Sequence, residues 1–278
     1  MAMAVHVPTI LLVHAHPDDE ASTTGGTIAR YAAAGARVVL VTCTNGELGD
    51  SPEGLAPEHD DHDTGAVVAH RLEELDESCR ILGVTRLVLL GYHDSGMMGW
   101  EQNDQPGSFW STPIDDAAAK LAAVIDEERP DVVITYDENG FYGHPDHIQA
   151  NRVTRAAIER SALSPKLYYA TIPRSGFARF AEVLAEHGMP MPEGQDEEGE
   201  EAPLGVEDDQ IGAVIDVAPF VDLKRAALAA HSSQTAESFF LQMPPAAFHE
   251  LFGAEWFVRV EPASDGVEDD LLAGVADR

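Results

Sequence analysis

Short apolar runs rich in β-branched residues alternate with helix-patterned segments along a chain of 278 residues that is 44% hydrophobic. Two of those runs end in dense clusters of histidine and carboxylate. Together these features predict one α/β domain, Rossmann-like, with a mostly parallel, doubly wound sheet and a less regular C-terminal part. The runs are continuously apolar, as in parallel strands covered on both faces. The clusters then fall at the C-terminal edge of the sheet, where open α/β sheets bind ligands.

The elements follow in order. Residues 10–13, Ile-Leu-Leu-Val, read as the first buried strand. A helix follows over 22–34, with Gly25 and Gly26 near its entry and Gly35 as its stop. Residues 37–42 form a second strand, and 50–63 a long polar loop of the sort that often carries function. An amphipathic helix over 65–82 ends at Gly83, and a third strand covers 86–90. Residues 97–113 are irregular and hold Trp100, Phe109 and Trp110, which serve either a cleft or the core. A helix over 115–129 stops at Pro130, a fourth strand covers 131–135, a helix 148–161 and a fifth strand 166–171. Beyond lie a helix over 175–187, an acidic run at 193–209 expected to form a mobile loop, a strand at 211–217, helical segments to 252 and a closing strand at 256–260. The organisation is a core over residues 1–172 holding both charged clusters, an extension over 173–262 packed on the same domain, and an acidic, frayed tail over 263–278.

A formal net charge of −32 argues against nucleic acid and anionic membranes as partners, since both need a basic surface. Cys43 and Cys79 read as reduced core residues. No leader pattern and no membrane-length apolar run stand in the sequence, so a cytoplasmic protein is expected, with a small molecule as its partner and homo-oligomerisation left open.

The first cluster is His16-Pro-Asp-Asp-Glu20. Asp18 and Asp19 would each serve as a helix cap, but a cap needs one carboxylate, not two with a histidine. The second cluster, His144-Pro-Asp-His147, repeats the logic after the fourth strand, with His144 and His147 three residues apart on one helix face. A catalytic zinc needs about three protein ligands and an open position. His16, Asp19 and His147 supply two imidazoles and a carboxylate. Asp18 is then free to take a proton from water. His144 is free to meet an oxyanion, where an imidazolium serves best, or to protonate a leaving amine. Asp146 is placed to orient an imidazole. Zinc, or ferrous iron in its place, would acidify a water and polarise a carbonyl, as amide hydrolysis requires.

Residues 15–20, AHPDDE, with 144–147, HPDH, resemble the PIG-L/LmbE zinc deacetylases, which remove acetyl groups from N-acetylglucosamine-containing molecules. The likeness runs to about residue 172 and returns weakly at 230–234. Residues 42–47, 94–97 and 136–140 are similar to the actinobacterial branch that makes and processes mycothiol, the N-acetylglucosaminyl-inositol deacetylases and mycothiol-conjugate amidases. The resemblance implies zinc on His16, Asp19 and His147, Asp18 as general base and His144 as oxyanion or acid partner. It also implies Tyr142 near the reacting carbonyl, and Arg71 and Asp94 as sugar or inositol contacts. The amidases carry a lysine shortly after the first motif. Thr23 stands at that place here, which counts against the amidase reading.

Other readings compete. A metal phosphoesterase would use clustered His and Asp, but wants more bridging carboxylates and a basic phosphate grip. A nucleotide-binding domain would want G-x-G-x-x-G after the first strand, which is absent. His59-Asp-Asp-His-Asp63 has ligand chemistry but no strand to fix it, so a solvated loop is expected there. His231 is read as structural, and Glu20 as a cap, an orienting partner of a ligand, or both.

Overall fold

A computed structural model describes residues 6–190, 205–236, 238–261 and 266–275. Its strands are β1 (Thr9–His14), β2 (Arg37–Thr44), β3 (Arg86–Tyr92), β4 (Val132–Tyr136), β5 (Lys166–Thr171), β6 (Ala213–Asp216) and β7 (Ala254–Glu261). They form one sheet in the order β3-β2-β1-β4-β5-β7-β6. The first five are parallel, and β7 runs antiparallel to both β5 and β6. The chain winds outward from β1 to β3, then crosses back to lay β4 on the other side of β1. That reversal opens a crevice beyond the C-terminal ends of β1 and β4.

Alternation along β1 builds the two cores. Ile10 and Leu12 face one side, with Ile28, Leu75, Val183, Leu228 and Phe248. Leu11 and Val13 face the other, with Leu121, Ile125, Val153 and Ala157. Helices Asp19–Ala33, Thr64–Leu82 and Val221–Ala230 therefore cover one face, and Ile114–Glu128 and Pro145–Arg160 the other. The result is a single α/β domain of three layers, as the run pattern predicts. Among the described residues no helix is long and apolar enough to cross a membrane.

Two local expectations need correction. The first helix begins at Asp19, not Ser22, and Asp18 is its N-cap residue with φ of 114°. Residues 266–275 are not frayed. Glu268 pairs with Ala213 beside β6, Leu271 is fully buried, and its N–H donates to the Tyr31 hydroxyl at 2.7 Å. The Lys166 ammonium holds the carbonyls of Leu271 and Ala273. A periodicity reading weighs the acids of this segment and misses two apolar anchors, Leu271 and Val275. Leu271→Ala should therefore lower stability by about 2–5 kcal/mol, measured by urea unfolding; an unchanged midpoint would mean the segment is not docked. Finally, most of the acidic 193–209 run lies outside the described residues. Its end is tied down, with Val206 bridged to Pro173.

Candidate active site

The loop after β1 is held in a shape that few L-residues adopt. Positive φ at Asp18 costs of order 1–3 kcal/mol and persists only where neighbours over-determine it. Here the Asp18 N–H donates to Glu20 Oε2 at 3.0 Å. Glu20 Oε1 in turn lies 2.7 Å from His231 Nε2 and accepts from the Ser78 hydroxyl. Glu20 thus anchors the loop, and His231, fully buried against it, is structural as expected. The Arg71 guanidinium completes the clamp on the carbonyls of Gly46 and Pro17 and on Asp18 Oδ2 at 3.1 Å. Gly46, at φ of 67°, is required there because a Cβ would collide with Arg71.

The second motif is built as a helix start. Pro145 occupies the first turn, and His144 is the N-cap, its Nδ1 accepting the Asp146 N–H at 3.1 Å. That bond leaves the ring proton of a neutral His144 on Nε2. His147 Nδ1 meets the Gly140 carbonyl at 3.2 Å, so Nε2 carries the bare lone pair. Gly140 needs its φ of 62° and its missing Cβ, which would sit 2.7 Å from His147 Cβ. Because β1 and β4 are neighbours, the two motifs meet: the ligand atoms of His16, His144 and His147 lie within 4.8 Å of one another.

Asp19 joins both motifs. Its Oδ2 lies 3.3 Å from His16 Nδ1, and its Oδ1 lies 3.4 Å from His147 Nε2. His147 Nε2 is buried and has no hydrogen-bond partner. The 3.4 Å approach of His147 Nε2 to the Asp19 carboxylate is one that a shared proton or a bound cation satisfies. Asp146 Oδ2 stands 3.3 Å from His16 Nε2 and Asp94 Oδ1 3.7 Å. Burial alone would lower the pKa of His16, but Asp94 and the bonds to Asp146 and Asp19 raise it well above the usual value. Burial likewise opposes ionisation of Asp19, yet His147 and His16 hold its carboxyl well below the ordinary range. The pocket is a concentration of negative charge that draws positive charge in. The donor set, imidazole and carboxylate, suits zinc or ferrous iron.

The flanking groups differ in kind. Burial lifts the Asp18 carboxyl to about 6, against the pull of Arg71. Burial, then the nearness of His16 and His147, pushes His144 down to about 3. Burial and those two neighbours favour the neutral imidazole of His144 over the imidazolium.

Arg71 is buried behind Asp18, where it contacts backbone and carboxylate, not an open cleft. Asp94 is buried too; its Oδ1 accepts the Gly96 N–H at 2.8 Å and faces His16. Tyr142 is 47% exposed at the rim, its ring 5.0 Å from that of His147. Phe109 stacks on Tyr92 in the core, while Trp110 is partly exposed. In the polar loop, Asp63 caps the helix Thr64–Leu82, and the groups of ligand-type side chains that converge among the described residues both contain His16.

Two residues escaped the sequence reading. Ser95 donates its N–H to Asp146 Oδ2 at 2.9 Å and its hydroxyl to Oδ1, fixing the carboxylate on His16. Tyr136, at the end of β4, donates its hydroxyl to Asp19 Oδ2 at 2.7 Å, accepts the Ala15 N–H at 2.9 Å and stacks on His147 with centroids 4.1 Å apart. A polar-tipped aromatic ending the strand before the second motif was the only available signal. Tyr136→Phe should weaken metal binding about 10–100-fold, measured by competition with a chromogenic chelator; wild-type affinity would show that Asp19 needs no such support.

Residues 11–158 match the PIG-L family, described as GlcNAc-PI de-N-acetylase. A 1D-myo-inositol 2-acetamido-2-deoxy-alpha-D-glucopyranoside deacetylase of Acidothermus cellulolyticus is 44% identical over 97% of this chain and 96% of its own. One of the same name from Geodermatophilus obscurus is 41% identical over 96% and 97%. Among solved structures, N,N'-diacetylchitobiose deacetylase from Pyrococcus horikoshii superposes with a TM-score of 0.58 at 20% identity, over 91% of this chain and 83% of that one. The hydratase GalB of Pseudomonas putida reaches 0.57 at 18% identity, over 93% and 98%. A deacetylase and a hydratase thus share this fold about equally, and fold alone does not choose between chemistries.

Proposed function

Because the chain belongs to the PIG-L family of de-N-acetylases, we propose that it is a metal-dependent hydrolase that removes the acetyl group from an N-acetylglucosamine-containing glycoside. Its substrate is 1D-myo-inositol 2-acetamido-2-deoxy-alpha-D-glucopyranoside, the compound for which its relatives are named. The observation that carries the chemistry is the unpartnered Nε2 of His147 facing Asp19 in the crevice between β1 and β4.

His16, Asp19 and His147 hold the metal in this reading. A divalent cation held there would supply Lewis acidity, acidifying a water and polarising the acyl carbonyl. Asp18, beside Asp19 and partly open to solvent, takes the proton from the water through its carboxylate. Arg71 and Glu20 keep that carboxylate and its backbone in place. His144 donates from Nε2 to the carbonyl oxygen as charge gathers on it. Asp146 and Ser95 fix the His16 ring, and Tyr142 closes the rim. Asp94, on the loop after β3, is assigned to the substrate hydroxyls.

The test is amine release by the zinc- or iron-loaded enzyme from three compounds: N-acetylglucosaminyl-inositol, a mycothiol conjugate and N-acetylglucosamine. The inositol glycoside should give the highest kcat/KM. Preference for the conjugate would assign the amidase reaction instead, and absence of amine from all three would remove the deacetylase reading.

A further inference from the structure

One step behind the site stands a histidine that the reaction does not use. His14 ends β1 and is fully buried. The four residues before it, Ile10 to Val13, are aliphatic. An imidazole at that strand end carries a desolvation cost that another aliphatic side chain would avoid. Its two ring nitrogens are both engaged. Nδ1 lies 3.2 Å from the Tyr136 hydroxyl oxygen, and Nε2 lies 2.9 Å from the Thr24 hydroxyl. The imidazole and phenol rings meet edge to face, with centroids 5.4 Å apart.

The Tyr136 oxygen has three polar neighbours and one proton. It accepts the Ala15 N–H at 2.9 Å, lies 2.7 Å from Asp19 Oδ2 and lies 3.2 Å from His14 Nδ1. An ionised carboxylate only accepts, so the bond to Asp19 exists only when the phenol gives its proton there. The shorter distance and the charge of the acceptor both favour that direction. His14 Nδ1 must then be the donor to the phenol oxygen. A bare Nδ1 would instead compete with Asp19 for the same proton. Thr24 supports the same assignment, since its hydroxyl lies closer to Nε2, at 2.9 Å, than to the Glu20 carbonyl, at 3.4 Å. With N–H groups from Ala15 and His14 both on the phenol oxygen, the phenol proton is left to Asp19. Oδ2 of that carboxylate also accepts the His16 N–H at 2.8 Å, and Oδ1 faces His147.

We propose that His14 is a positioning residue for the metal site: its Nδ1–H, given to the Tyr136 oxygen, commits the phenol proton to Asp19 and so fixes the carboxylate against the cation. The inference rests on the reading of His16, Asp19 and His147 as metal ligands and adds a residue that touches none of their side chains.

The test reads metal affinity by competition with a chromogenic chelator, on the full-length protein. His14→Leu should weaken zinc binding by about tenfold. It leaves Tyr136 the Ala15 N–H and Thr24 the Glu20 carbonyl, so the urea midpoint should show a folded protein. His14→Asn, whose amide can place a donor near the position of Nδ1, should restore most of the affinity. In a Tyr136→Phe background, His14→Leu should add nothing, because the group through which it acts is gone. In wild-type protein labelled with ¹⁵N-histidine, the His14 ring, assigned by its loss in His14→Leu, should carry a proton on Nδ1. Wild-type affinity in His14→Leu, a full and additive loss in the double variant, or a bare Nδ1 would each overturn the inference while leaving the metal site intact. Absence of stoichiometric metal from the wild-type protein would fail the ligand reading itself.

Discussion

Replacing His147 with alanine should yield a folded protein that no longer carries stoichiometric metal and no longer releases amine. The imidazole lies at the start of the helix Pro145–Arg160, is 2% exposed, and presents an unpartnered nitrogen to Asp19. Its loss removes one of the three proposed ligands. The fall in affinity should far exceed the ~10–100-fold that a supporting residue costs. Metal per chain after dialysis, by atomic absorption, reads the first effect, and amine release the second. The helix itself is secured by the His144 cap and by Val153 and Ala157 in the core, so circular dichroism should match the wild type. Retention of both metal and activity would remove this site from the enzyme.

Asp18→Asn and His144→Ala should each lose about 10²-fold or more in kcat while keeping their metal. The two act by different routes. Asparagine at 18 preserves shape and its bond from Arg71 but cannot accept a proton from water. Alanine at 144 removes the Nε2 donor and exposes the Asp146 N–H, whose present acceptor is His144 Nδ1. A serine at 144 restores the cap without the donor. His144→Ser should therefore recover stability and not turnover. Near-normal kcat in either His144 variant would leave Asp18 and the metal to carry the reaction.

Much of the fold and the outline of the site were legible in the sequence. Continuous apolar strands, glycine stops and the two proline-marked motifs are local signals, and they put His16, Asp19, His144 and His147 at one sheet edge. What was not legible is long-range. Tyr136 reaches Asp19 across 117 positions, and His231 reaches Glu20 across 211. Neither pairing leaves a trace in periodicity. The positive φ of Asp18 is imposed by Glu20 and Arg71, so the start of the first helix could not be read from its own residues. The docking of residues 266–275 rests on two apolar side chains among acids. Composition speaks for the acids and is silent about where the apolar ones land.

The neighbouring of β1 and β4 also bears on how the protein is made. His16 and Asp146 are 130 positions apart, so during synthesis the first motif waits for nearly half the chain before its partner exists. Until β4 is made, the side of β1 that pairs with it in the folded protein has no partner strand. Such an edge is a template for pairing with other chains. Insertion of β4 closes the edge and brings the two motifs of the proposed metal site together. Substitutions that slow β4 should therefore appear first as insoluble protein and only secondarily as lost catalysis.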